Sequence, residues 1–189
     1  MQEKQQAELA LNARHVTLRR MRPEDAQTLY DYRSLPEVAR YQDWLPDDLE
    51  AVHELARQQA ALELGATGSW FQWIITNSET GEIAGDCGYL FGAGEHDAPE
   101  LGIALSPLHR GRGYATVATR LMVDHLFEEL RVHRVVARTD PRNYPAIGIL
   151  GRVGMIQEGH HRRSHWHRGE WVDELVFAIL REDWERDRD

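Results

Sequence analysis

The stretch "PELGIALSPLHRGRGYATVATRLMVDHLFEEL", Pro99 to Leu130, constrains the fold more than any other part of the chain. An apolar run with strand character stops at Pro107, two glycines follow among arginines, and a helical pattern begins near Tyr114. One glycine is enough for a turn. Two at the mouth of a helix, beside Arg110 and Arg112, point to an anion. The first amides of a helix have no intrahelical acceptor and carry about half a positive charge from the helix dipole. Glycines let a phosphate reach those amides without meeting a side chain, an arrangement that suits a pyrophosphate. A P-loop would need GxxxxGK followed by Ser or Thr, and Lys4 is the only lysine. A dinucleotide fingerprint would need a third glycine where Thr116 stands, and Val135 lies near the place of its ribose-binding acid. "GRG" taken alone is also compatible with a simple tight turn.

The remaining pattern alternates strands and helices. "HVTLRRM" reads as a strand and "RPEDAQTLYDYRSL" as a helix with Pro23 in its first turn. "PDDLEAVHELARQQAALEL" reads as a helix with Asp47 and Glu50 spaced as a capping box and Gly65 as its stop. "WFQWIITN" and "EIAGDCGYLF" read as a hairpin around "SETG". "HRVVART" is a buried strand, "YPAIGILGRVG" a short helix, and "MIQEGHHRRSHW" and "EWVDELVFAIL" two last strands around "HRG". The predicted fold is one α/β domain with a mixed sheet. A polar arm covers residues 1–14, the domain 15–184 and a charged tail 185–189.

Charge and cysteine content narrow the function classes. A net charge of −9 argues against a general nucleic-acid binder. From Arg22 to Glu63 ten acids face four bases, whereas from Pro107 to Arg142 seven arginines face four acids. One segment therefore suits a cation and the other an anion, although solvated helix faces of opposite sign give the same counts. A lone Cys87 excludes an intrachain disulfide and a CxxC metal site, and is expected as a small buried strand residue. No signal-like or membrane-spanning apolar run is visible, so a cytoplasmic protein is expected.

The run Arg110, Gly111, Arg112, Gly113, Tyr114, Ala115 resembles the (Q/R)xxGx(G/A) loop of the GNAT superfamily of N-acetyltransferases. The resemblance extends from about Val16 to Trp184 and is strongest to the ribosomal-protein N-terminal acetyltransferase branch, RimJ/RimL-like. It is carried further by "DPRN" at Asp140 to Asn143, by "GRVGM", and by "GEWVDELVFAIL". It implies a mixed, mostly antiparallel twisted sheet of about seven strands, helices on both faces, and a splayed central strand pair. It also implies acetyl-CoA as cofactor. Its pyrophosphate would lie on the amides of Arg110 to Ala115, and its pantetheine along the strand holding Ile103 and Leu105, with Asn143 steadying that arm. Asn143 also reads as an N-cap for the helix after it.

In this family Glu100 falls where several members place a general base; a solvent-facing strand-end acid is the alternative. Asp86 and Glu170 are weaker candidates. Ala146 and Leu150 occupy positions where relatives carry Ser or Tyr as the acid for the departing thiolate, which leaves Tyr144, water or unassisted departure. His161, His165 and His167 share strand parity but sit among arginines, with no carboxylate or cysteine near them in sequence, so no metal site is expected. Trp44, Trp70, Trp73 and Trp171 are expected as core or cleft walls. The function implied is acetyl transfer to a primary amine, with a basic protein N-terminus as the preferred acceptor. No direct nucleic-acid or membrane partner is expected, and a homodimer is left open. The rivals are acetylation of a small cationic amine such as a polyamine or aminoglycoside, a non-catalytic acyl-CoA-binding module, and a nucleotide-binding protein.

Overall fold

In the computed structural model, which describes residues 10–92, 94 and 98–186, one eight-stranded sheet carries every other element. Its strands are β1 (Ala10–Ala13), β2 (Val16–Arg20), β3 (Trp70–Asn77), β4 (Ile83–Leu90), β5 (Glu100–Leu105), β6 (Arg134–Thr139), β7 (Ile156–His167) and β8 (Glu170–Leu180). The helices are α1 (Ala26–Arg33), α2 (Pro36–Ala39), α3 (Leu49–Ala61), α4 (Tyr114–Glu128), α5 (Tyr144–Arg152) and α6 (Arg181–Arg186). Strand order is β1-β2-β3-β4-β5-β6-β8-β7, antiparallel throughout except between β5 and β6.

The sheet has eight strands where about seven were expected, and the added one comes from the segment read as a polar arm. Ala10–Ala13 pairs with β2, turns at Arg14 and places Leu11 against the core. Residues 1–9 of that arm lie outside the described residues, as do 187–189 of the charged tail. Glu185 and Arg186 belong to α6. The cap of α3 also differs from expectation. Asp48, not Asp47, accepts from the Ala51 amide at 2.9 Å, and the helix ends at Ala61 on an extended Leu62 rather than at Gly65.

β3 shows why the sheet needs helices on both faces. Phe71, Trp73 and Ile75 alternate toward one side and pack with Met122, Leu126 and Phe127 of α4. Ile74 points the other way and packs with Leu29 of α1 and Val52 and Ala56 of α3. A strand buried on both faces reads as a continuous apolar run, as "WFQWIIT" does.

β5 and β6 are registered only at Glu100–Val136 and Leu101–Ala137. β6 keeps six pairs with β8, and β5 keeps six with β4. The parallel pair therefore opens beyond Leu101. That opening positions the site.

Candidate active site

Ser106 donates its amide to Ala84 O at 2.9 Å, so the alternation of an antiparallel pair turns residues 102 and 104 toward β4. The backbone groups of Ile103 and Leu105 then face the opening, where β6 offers no partner. Within it the Gln42 side chain donates to Ile103 O at 3.3 Å. A cleft of about 310 Å³ runs through this gap. On the α1–α3 side its walls are Tyr41, Gln42, Trp44, Trp70 and Gln72, and on the α4–α5 side Thr119, Met122, Ala146 and Leu150. Trp70 packs directly on the β5 backbone, since a Cβ on Gly102 would lie 3.2 Å from its ring.

At the end of β5 the chain makes a short turn and enters the glycine loop. Gly111 (φ 74°) and Gly113 (φ 85°) adopt the left-handed conformation that glycine tolerates best. Space beside them is open: a Cβ on Gly111 would meet nothing within 4 Å, and one on Gly113 only the His15 ring at 3.9 Å. Among the described residues the amides of Gly111, Arg112 and Gly113 have no acceptor. Gly113 caps α4 without a side chain. Tyr114 is buried below the loop, its ring edge-to-face with His15 and His109 and its hydroxyl accepting from Asn77 at 2.7 Å. His15 also contacts Arg112 O at 3.1 Å. Ala115 is buried in the first turn, and Arg110 makes a loose pair with Glu37 at 3.5 Å.

Glu100 lines the cleft where β5 and β6 part, and its side chain is partly buried. It is paired with Arg138, which also approaches Glu174 at 3.6 Å. Burial raises the Glu100 pKa above the ordinary carboxylate value. Arg138 opposes that shift, and Glu174 and Asp43 add to it. Asn143 lines the cleft and caps α5 through a 3.4 Å bond from the Ala146 amide, which is the N-cap role expected of it. Tyr144 is different. It is 77% exposed on the first turn of α5 and is not among the cleft-lining residues.

Neither weaker base candidate is placed to act. Asp86 is fully buried and accepts from Tyr32, from Arg33 (Nε at 2.9 Å, and Nη2) and from Gln72. Its lone pairs are committed to structure. Glu170 is exposed and bound to Arg142 at 3.3 Å, outside the cleft. The tryptophans divide three ways. Trp44 and Trp70 line the cleft, with Arg33 5.2 Å from the Trp44 ring, and Trp73 is core. Trp171 is neither: it pairs edge-to-face with Trp166 on the surface.

Two features of the site are not visible in sequence. Thr119 of α4 borders the cleft with a buried hydroxyl that has no hydrogen-bond partner among the described residues. Asp43 supplies the carboxylate that the three histidines lack in sequence, but only to His165 and His167, at 2.8 and 3.3 Å. A bulge in β7 between His161 and His165 keeps His161 out of the group.

The chain matches the acetyltransferase (GNAT) domain over residues 15–156. It is 30% identical over 175 residues to the uncharacterized N-acetyltransferase p20 of Bacillus licheniformis, covering 92% of this chain and 97% of that one. Its fold is similar to that of the ribosomal-protein-S5-alanine acetyltransferase of Vibrio fischeri, with a TM-score of 0.80 at 21% identity over 93% and 98% of the two chains. It is also similar to a Vibrio cholerae spermidine N-acetyltransferase in complex with CoA and spermine, with a TM-score of 0.77 at 17% identity over 90% and 98%. Splayed strands, glycine loop and matched domain coincide on the same residues, and the chain belongs to the GNAT family of acetyltransferases.

Proposed function

We propose that this protein transfers acetyl from acetyl-CoA to a primary amine, with the α-amine of a protein or peptide N-terminus as the preferred acceptor. The observation that carries the reading is continuity: one cleft joins the unpaired edge of β5 to Glu100, and β5 leads into the glycine loop. The residues present fit the cofactor. Two positive-φ glycines with open space beside them leave room for a pyrophosphate on the amides of Arg110 to Ala115. The Ile103 and Leu105 backbone would take a pantetheine arm as an added strand once Gln42 releases Ile103 O, with Asn143 alongside. Acetyl-CoA, when bound, supplies an activated acetyl thioester.

The chain's own groups manage the protons. Glu100, its pKa raised by burial, accepts the proton of the attacking amine and holds it near Arg138. Thr119 supplies a buried hydroxyl bordering the cleft, where Ala146 and Leu150 carry none. Tyr144 would have to turn inward from the surface to serve as the acid. Trp44, Trp70 and Met122 give the cleft apolar walls.

A second reading, acetylation of a small polyamine, is favoured by the acidic rim of Asp43, Glu100 and Glu174 around the adjoining hollow. The test is thiol release from acetyl-CoA with a free-amine peptide, its N-blocked lysine-containing twin, and spermidine. Fastest turnover of the free-amine peptide supports the N-terminal reading. Faster turnover of spermidine replaces it with the polyamine reading, and no turnover of any amine overturns both.

A further inference from the structure

We infer that Asp43, His165 and His167 form a binding site for a divalent transition-metal ion of the zinc type. His167 carries the argument. Its Nε2 lies 3.0 Å from Arg40 O, an acceptor, so that nitrogen bears the ring proton. Its Nδ1 lies 3.3 Å from Asp43 Oδ1, which is also an acceptor. A neutral ring would set a lone pair against a carboxylate oxygen there. A cation between them turns that contact favourable. His165 Nε2 meets the same Asp43 oxygen at 2.8 Å, and the two rings stack with centroids 5.8 Å apart. A metal ion would take one lone pair from each of the three side chains.

The geometry is suitable for one. The three ligand atoms lie within 4.8 Å of one another. Zinc bonds of about 2.0–2.2 Å to nitrogen and oxygen in a tetrahedral site separate their ligands by roughly 3.3–3.6 Å; the two Asp43 contacts, at 2.8 and 3.3 Å, lie near that spacing, and the two imidazole nitrogens have to close from no more than 4.8 Å. Arg40 O fixes the His167 ring in the orientation and tautomer that a metal ligand needs, as outer carbonyls do in metal sites. Two imidazoles and one carboxylate favour zinc, cobalt or nickel over magnesium or calcium. The surroundings favour a cation. The adjoining hollow of about 80 Å³ is bordered by Glu100, Asp140, Asp173 and Glu174, with Arg138 the one arginine among its lining residues. The ion would fasten the Tyr41–Trp44 wall of the cleft to the end of β7, and the site stands independently of the acetyl-transfer reading.

The experiment uses the full chain without a tag, stripped by chelator, titrated with Zn²⁺ by calorimetry and with Co²⁺ by visible absorption. One ion per chain is expected, with the intense visible bands of a low-coordinate cobalt site. Asp43→Asn and His167→Gln should each weaken binding at least about tenfold. His160→Gln, which removes a histidine held by Asp173 outside the group, should leave it unchanged. Circular dichroism confirms that each variant is folded. Absence of saturable binding overturns the site. Binding that survives in either the Asp43 or the His167 variant overturns the three-ligand set.

Discussion

Glu100 stands between opposing influences, and each can be removed singly. Burial raises its pKa most, Arg138 lowers it, and Glu174 raises it again. A general base must be deprotonated, so activity should fall as pH drops through this raised value. Arg138→Gln removes the lowering influence and should move the acid limb of kcat/KM to higher pH. Glu174→Gln should move it to lower pH. Glu100→Gln should lower kcat at neutral pH by about 10²- to 10⁴-fold and flatten that limb, with coenzyme affinity little changed. An unaltered pH profile would remove Glu100 from the base role. The buried pair behind the cleft makes a different prediction. Arg33 and Asp86 are both shut away from solvent, and Asp86 binds Tyr32 and Gln72 as well. Taking one charge away strands the other, so Asp86→Ala should cost about 3–5 kcal/mol in denaturant unfolding. Replacing Arg33 and Asp86 together with apolar residues should cost less than that single change.

The proposed function rests on two elements, the parting of β5 from β6 and the loop that starts α4. Glutamate at Gly111 or Gly113 puts a side chain and a negative charge where, on the proposed function, the pyrophosphate would lie. It also forces a left-handed conformation that costs an L-residue roughly 1–2 kcal/mol. Calorimetry on Gly111→Glu and Gly113→Glu should show coenzyme A binding abolished in proteins that still melt cooperatively; wild-type affinity in both would remove the loop from the site. This loop was legible in sequence because its signals are local: proline, two glycines and a helical period adjoin within a few residues. The hairpin of β3 and β4 was legible for the same reason. β1 was not, because "ALNA" is too short for alternation to register and gains its order from β2. The α3 cap slipped by one residue because Asp47 and Asp48 are chemically equal and only the fold chooses between them. Thr119 looks like any polar residue on an amphipathic helix until the splay opens beside it. Asp43 meets His165 and His167 across 122 and 124 residues, a juxtaposition that no local pattern encodes. The tryptophans were recognisable as apolar anchors, but whether each meets core, cleft or solvent is decided by sheet register.

At the scale of the molecule, charge and acceptor chemistry act together. The segment from Arg22 to Glu63, with ten acids against four bases, builds α1, α2, α3 and the Tyr41–Trp44 wall on one side of the cleft. Asp43, Glu100 and Glu174 continue that sign around the adjoining hollow. A field of this kind steers cations toward the cleft and is screened with a Debye length of about 10 Å at 0.1 M salt. The attacking nitrogen must nevertheless be neutral. At pH 7 roughly one peptide α-amine in ten is uncharged, against about one lysine in 2,500, a gap of more than ~3 kcal/mol that the site would have to offset by desolvation. The acceptor that satisfies both demands has basic residues for steering and a terminal α-amine for reaction. For a peptide of sequence class X-Arg-Arg with a free N-terminus, kcat/KM should fall as salt rises from about 0.05 to 0.5 M, whereas kcat at saturation should hold nearly constant. An uncharged peptide of equal length should start lower and show little salt dependence. Equal salt slopes for the two peptides would separate catalysis from the acidic surface and leave the N-terminal preference without its electrostatic basis.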